Sequence, residues 1–342
     1  MKYRLLGAAA VVLAVGGTIV PAHADTTATN VTKSTVNKST IEGSGAVTAR
    51  VAWVGSCEDA DGISVPCGKW RVRLRAGGTV TVADAAATAV DARGRKADSV
   101  GKFAISGDGQ WILYERAKDH RLVVRKVAGG RGTVLPASLS RKGTEPMRVW
   151  LSPAGDRVLV EYDEGREPGK IVTVATGKIV KLPAADDLEG LSGDGDEALA
   201  MRYNNDNTTT LVAHGMDGHS VAKVPPQVVV NAATRALSAD GHTVAVLISG
   251  NTETRQPPKL RLYDLATDRL SASMTLPLKP DASVYLAHWS GDGRLTVKAQ
   301  TGGDEKPTVV RVLTVDTTTG AAKPVDTFTV TARNYTWLTA GE

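Results

Sequence analysis

Cys57 and Cys67 stand ten residues apart, and the segment between them carries Glu58, Asp59 and Asp61 followed by Gly62. Alternating carboxylates ahead of a glycine are how a calcium loop begins, which makes Asp59 and Asp61 the positions where calcium would sit. The EF-hand pattern also wants a third ligand and a distant Glu, and neither is in register here. The expectation is a solvated loop and no cofactor. The two thiols lack Cys-x-x-Cys spacing and a nearby His, which argues against redox or zinc chemistry. A local disulfide is the economical pairing in an exported chain.

Nucleophile and metal motifs are equally sparse. Gly190-Leu191-Ser192-Gly193-Asp194 starts like a nucleophile elbow, but Asp194 stands where the final Gly belongs. The histidines beyond the N-terminal segment are His120, His214, His219, His242 and His288, in no ligand spacing. Arg71, Arg73 and Arg75 alternate with Val72 and Leu74, so all three guanidinium groups fall on one strand face, where a solvated surface or an acidic polymer would meet them. No catalytic residue and no metal ligand is assigned.

The element that must position these groups is a repeat. Ser106-Gly107-Asp108-Gly109 recurs as Ser152-Pro153-Ala154-Gly155, Ser192-Gly193-Asp194-Gly195, Ser238-Ala239-Asp240-Gly241 and Ser290-Gly291-Asp292-Gly293, at spacings of 46, 40, 46 and 52 residues. Asp-Gly between apolar runs is a tight strand-to-strand turn, with Gly supplying positive φ and Asp bonding back to the backbone. A second turn follows each box, at Ala128-Gly129-Gly130, Ala175-Thr176-Gly177, Met216-Asp217-Gly218, Ala266-Thr267-Asp268 and Thr318-Thr319-Gly320. Each unit therefore reads as four strands, and periods of 40 to 50 residues with a turn signature mark a β-propeller. Asp108, Asp194, Asp240 and Asp292 are turn formers in this reading.

Taken with Leu262-Tyr263-Asp264-Leu265-Ala266-Thr267-Asp268 and Val315-Asp316-Thr317-Thr318-Thr319-Gly320, the boxes resemble the TolB-type and WD-repeat propellers over roughly residues 100 to 330. The Trp-Asp dipeptide of WD repeats is absent, so the TolB-like class fits better. The resemblance implies an all-β propeller fold and does not extend to an activity.

Five units leave remnants at both ends. Val47 to Val54, Trp70 to Leu74 and Thr79 to Ala83 supply three strands, and Asn334-Tyr335-Thr336-Trp337-Leu338 supplies one. Joined, they make a composite first blade and a ring of six, with seven blades as the alternative; closure removes two exposed strand edges. Alternation places Tyr335 and Trp337 on one face of the closing strand.

Lys2 and Arg4 precede an apolar run from Leu5 to Val20 and an Ala22-His23-Ala24 site, which reads as a cleavable export signal over 1–24. A Thr/Ser-rich tether over 25–44 and the propeller over 45–342 complete the expected organisation. The whole chain has 41 basic and 36 acidic residues; loss of Lys2 and Arg4 leaves a charge of +3, too small to argue for nucleic acid. Both turn signatures share one face, so the irregular loops between second and third strands lie on the other, where binding on a rigid scaffold resides. Asp59, Lys118, Arg166, Asp206, Arg255 and Glu305 are the candidate binding residues there. The expected protein is a secreted or envelope-located monomer, a binding or scaffolding module for a protein or glycan. The alternative is a propeller glycosidase, lyase or lactonase with carboxylates gathered at the channel mouth.

Overall fold

The computed structural model describes residues 46–162, 167–184, 186–290, 293–303, 306–331 and 334–342. The expected export signal and tether lie outside them. Among the described residues no helix is long and apolar enough to cross a membrane.

Six antiparallel four-stranded paths form the molecule. Blade 1 holds β1 (Ala49–Glu58), β2 (Ser64–Leu74) and β3 (Thr79–Val82), and a hairpin of β4 (Thr88–Val90) and β5 (Lys96–Val100) leads away from it. Blade 2 holds β6 (Phe103–Ile105), β7 (Trp111–Glu115), β8 (Leu122–Lys126) and β9 (Thr133–Val134). In blade 3 these are β10 (Met147–Leu151), β11 (Arg157–Tyr162), β12 (Lys170–Thr173) and β13 (Ile179–Lys181). Blade 4 contains β14 (Asp187–Leu191), β15 (Glu197–Tyr203), β16 (Thr209–Gly215) and β17 (Ser220–Lys223), and a short helix α1 (Gln227–Val230) follows. Blade 5 contains β18 (Thr234–Leu237), β19 (Thr243–Ile248), β20 (Lys259–Asp264) and β21 (Arg269–Leu270), with β22 (Met274–Thr275) also paired to β20. Blade 6 contains β23 (Ser283–Trp289), β24 (Leu295–Gly303), β25 (Lys306–Val315) and β26 (Ala322–Val330). Finally β27 (Asn334–Thr339) pairs antiparallel with β1 and becomes the first strand of blade 1. The ring therefore has six blades and closes with the C-terminal strand; the seven-blade alternative falls.

In the boxes of blades 2, 3 and 4 one side chain does the same work. Ser106 Oγ donates to Asp108 and accepts from the Trp111 N–H, and Ser192 Oγ donates to Asp194 and accepts from the Glu197 N–H. In blade 3, where Pro153 and Ala154 displace the acid, Asp156 takes its place at 2.8 Å from Ser152 Oγ. These three serines are fully buried, so each hydroxyl must be satisfied locally. Gly155 shows why glycine closes the box. Its φ is +75°, and a Cβ there would lie 2.3 Å from the Trp111 ring of the preceding blade.

The core is divided among the blade interfaces, and each of the six has its own apolar cluster. Trp70, Phe103 and Tyr114 centre the cluster between blades 1 and 2, where Trp70 and Phe103 stack at 4.3 Å. The seam between blades 6 and 1 is poorest, with only Val51, Val310, Val312 and Val330 buried among the described residues. Polar contacts reinforce that seam: Arg50 Nε donates to Asp326 at 2.8 Å, and Lys298 Nζ donates to the Ala340 carbonyl.

The closing strand departs from simple alternation. Val54 pairs with Thr336 but Gly55 pairs with Asn334, so Tyr335 is bulged out of register. Tyr335 packs on the blade 1–2 cluster and donates its hydroxyl to the Asp98 carbonyl at 3.1 Å, while Trp337 packs on the blade 6–1 cluster, edge-on to Tyr285. The shared face expected for the two rings is corrected by that bulge, which shifts the alternation by one residue. Trp337 is consequently half-buried.

Candidate functional site

First strands of successive blades line the central channel, and their crossovers and the loops between second and third strands make its upper face. Two adjoining spaces lie along the channel, the wider at its upper mouth and the narrower reaching Gly107 and Pro153 of the serine boxes towards the opposite face. A recess of about 310 Å³ is lined by Lys102, Arg148, Trp150, Thr336, Trp337 and Glu342, among others. A narrower one of about 100 Å³ is lined by Trp150, Glu189, Arg235, Leu286, His288, Gly341 and Glu342, among others. Trp150 and Glu342 belong to both. Every blade contributes lining residues, which is why no linear motif announces the site.

Charge in the channel is largely paired. Glu189 on β14 meets Arg235 on β18, with Nε donating to Oε2 at 2.7 Å. Arg235 also donates to the Val229 and Val230 carbonyls at 2.9 and 3.0 Å, so α1 fixes its head from behind. Arg148 bonds Glu161 at 2.9 Å and Asp187 at 3.0 Å while its guanidinium lies 4.9 Å from the Trp150 ring centroid. Glu342 is the exception. Burial raises its carboxyl above the ordinary range, against hydrogen bonds from Thr339 and the charge of Lys298. Lys298 itself is pushed down to about 7, by burial first. Burial and the Lys298 charge hold His288 at about 3, hence neutral, and its Nδ1 has no partner among the described residues.

One acid with a raised pKa does not make the two-carboxylate arrangement of a glycosidase, because Glu189 is held by Arg235. A Ser–His–carboxylate chain does occur in blade 4. Ser220 Oγ lies 2.8 Å from His214 Nδ1, and His214 Nε2 lies 2.7 Å from Asp186 Oδ2. Asp186 is also gripped by Arg202 at 2.6 and 2.8 Å, and burial that would raise its pKa is outweighed by these bonds, which lower it. The four residues come from the crossover, β15, β16 and the outermost strand β17, and line neither channel space. The network ties blade 4 together.

The four described sequence candidates occupy separate hairpin tips. Asp59 accepts from the Asp61 and Ile63 N–H groups at 3.0 and 2.8 Å, so its carboxylate shapes its own turn. Cys57 and Cys67 form the disulfide, one residue on β1 and the other on β2, beside the turn at the tip of that hairpin. Asp206 accepts from Thr208 through both N–H and hydroxyl, at 3.0 and 2.7 Å. Lys118 is exposed, and Arg255 sits at φ +55° in the blade 5 loop. Arg166 and Glu305 lie outside the described residues. None of the four described candidates lines either channel space.

The fold and this channel define the class: a six-bladed β-propeller closed by its C-terminal strand. No family model matches the chain, and no curated protein sequence matches it. Its solved structural neighbours include TolB. The putative TolB from Agrobacterium tumefaciens is 13% identical with a TM-score of 0.45, over 83% of this chain and 91% of that one. TolB from Acinetobacter baumannii is 13% identical with a TM-score of 0.47, over 85% and 65%. A Mycobacterium tuberculosis puromycin-hydrolyzing peptidase is 16% identical with a TM-score of 0.38, over 82% and 52%. Likeness at this level does not extend to an activity.

Proposed function

We propose that the protein is a non-enzymatic binding module of the cell envelope or exterior, receiving a polar segment of a protein partner at the upper mouth of its channel. The observation that carries this reading is the 310 Å³ recess in which Trp150, Trp337 and Arg148 meet. Trp and Arg in a preformed hollow are the residues that dominate interface energetics. The Arg148 pairs with Glu161 and Asp187 beside them would orient a polar partner segment. The Cys57–Cys67 disulfide supports an oxidising compartment.

The test is retention of an envelope fraction on immobilised full-length protein, compared with Arg148→Ala and with Trp150→Ala/Trp337→Ala. The reading expects one component to be held by the parent chain and released at least about tenfold faster from both variants, since rate changes at one interface fall mainly on dissociation. Equal retention by all three proteins sinks it. Turnover of an envelope glycan that disappears in Glu342→Gln would replace it with the hydrolase alternative.

A further inference from the structure

On the outer flank of blade 2, away from the channel, lies a groove of about 640 Å³ lined by Asp84, Tyr114, Arg116, Arg125, Gly130 and Arg131, among others. Its charges are not balanced. Arg116 is bound to Asp119 at 2.6 Å, and Asp84 accepts the Tyr114 hydroxyl at 2.8 Å. Arg125 forms no ion pair among the described residues. It is half-buried over the Tyr114 ring, 5.5 Å from the centroid, and its Nε is buried with no hydrogen-bond partner among them. Arg131 is exposed at the rim and likewise unpaired among the described residues.

A guanidinium cannot shed its proton, so a part-buried one with no ion pair among the described residues and a buried, unbonded Nε leaves charge and a donor to be satisfied, with Asp84 the one carboxylate lining the groove. The turn beside it adds donors. Gly129 and Gly130 have φ of +101° and +99°, and the N–H groups of Gly130 and Arg131 have no partner among the described residues. Successive free N–H groups in such a turn form a concave anion receptor. We propose that this groove binds an oxyanion, phosphate or carboxylate, with Arg125 and Arg131 as its charged ligands and the Gly130–Arg131 backbone as its cradle. Nothing in the channel reading depends on it.

Isothermal titration of the full chain at low ionic strength, with sodium pyrophosphate in one arm and citrate in the other, tests the proposal. Arg125→Gln and Arg131→Gln should each weaken the bound anion by about tenfold or more, as loss of a charge-assisted pair implies. Arg131 lies on an exposed turn, so its variant keeps the fold even if Arg125→Gln does not. Lys126→Gln, on the next residue but over the Trp111 ring, should bind like the parent. Binding of pyrophosphate alone identifies a phosphate ligand, and of citrate alone a carboxylate ligand. No heat with either anion, or affinity unchanged in Arg131→Gln, overturns the site.

Discussion

Residue by residue, the structure rests on a few positions where the backbone or burial leaves one option. Gly155 and Gly218 both have positive φ, at +75° and +90°, but only Gly155 also faces a ring; at Gly218 a Cβ would meet nothing within 4 Å. Gly218→Ala should therefore cost about 1 kcal/mol of strain, whereas Gly155→Ala adds a clash and should cost about 3 kcal/mol or more in denaturant titration. Equal losses would mean that the blade 2–3 contact yields freely. Lys298 makes the second prediction. Its pKa is lowered in the fold from 10.5 to about 7, mainly by burial. The unfolded chain then binds more protons between those values, so stability rises with pH through this window and is lost again as pH falls towards 7. Thermal midpoints should climb from pH 7 to about 9, and Lys298→Met should flatten the climb. A slope that survives in Lys298→Met assigns the effect elsewhere.

At the scale of elements, ring closure is the decisive device. The tail beyond β27 extends it: Ile105 N–H donates to the Glu342 carbonyl at 3.0 Å, and Gly341 N–H donates to the Ile105 carbonyl at 2.8 Å, so blade 2 also grips the C-terminus. Deleting 334–342 should expose the edge of β1 and cost several kcal/mol, with aggregation on expression. A truncated chain that stays monomeric with an unchanged melting midpoint would contradict the closure. The Cys57–Cys67 link is more local. It closes a ten-residue separation at one hairpin, so Cys57→Ser/Cys67→Ser should cost about 2 to 3 kcal/mol by chain entropy, measured by denaturant unfolding. These elements were legible in sequence because each has a local cause: Asp-Gly turns, β-branched runs, a pair of cysteines ten residues apart. The bulge at Tyr335 and the β4–β5 hairpin were not, since strand register and the path of a crossover depend on distant neighbours.

For the whole molecule, six blades bring Trp150 of β10 and Trp337 of β27 to one recess from positions 187 residues apart in the chain. No spacing rule could have joined them. The loop candidates legible in sequence stand apart from that recess, and Asp59 and Asp206 use their carboxylates on their own turns. The central claim is that the upper channel mouth, and not the face of the Asp-Gly turns, meets the partner. A photo-crosslinking side chain placed at Trp337, and at Thr317 in the blade 6 turn on the opposite face, tests it on intact cells of the source organism. The account predicts one discrete protein adduct from position 337 and none from 317. Adducts from 317 alone, or the same adduct from both, would contradict it.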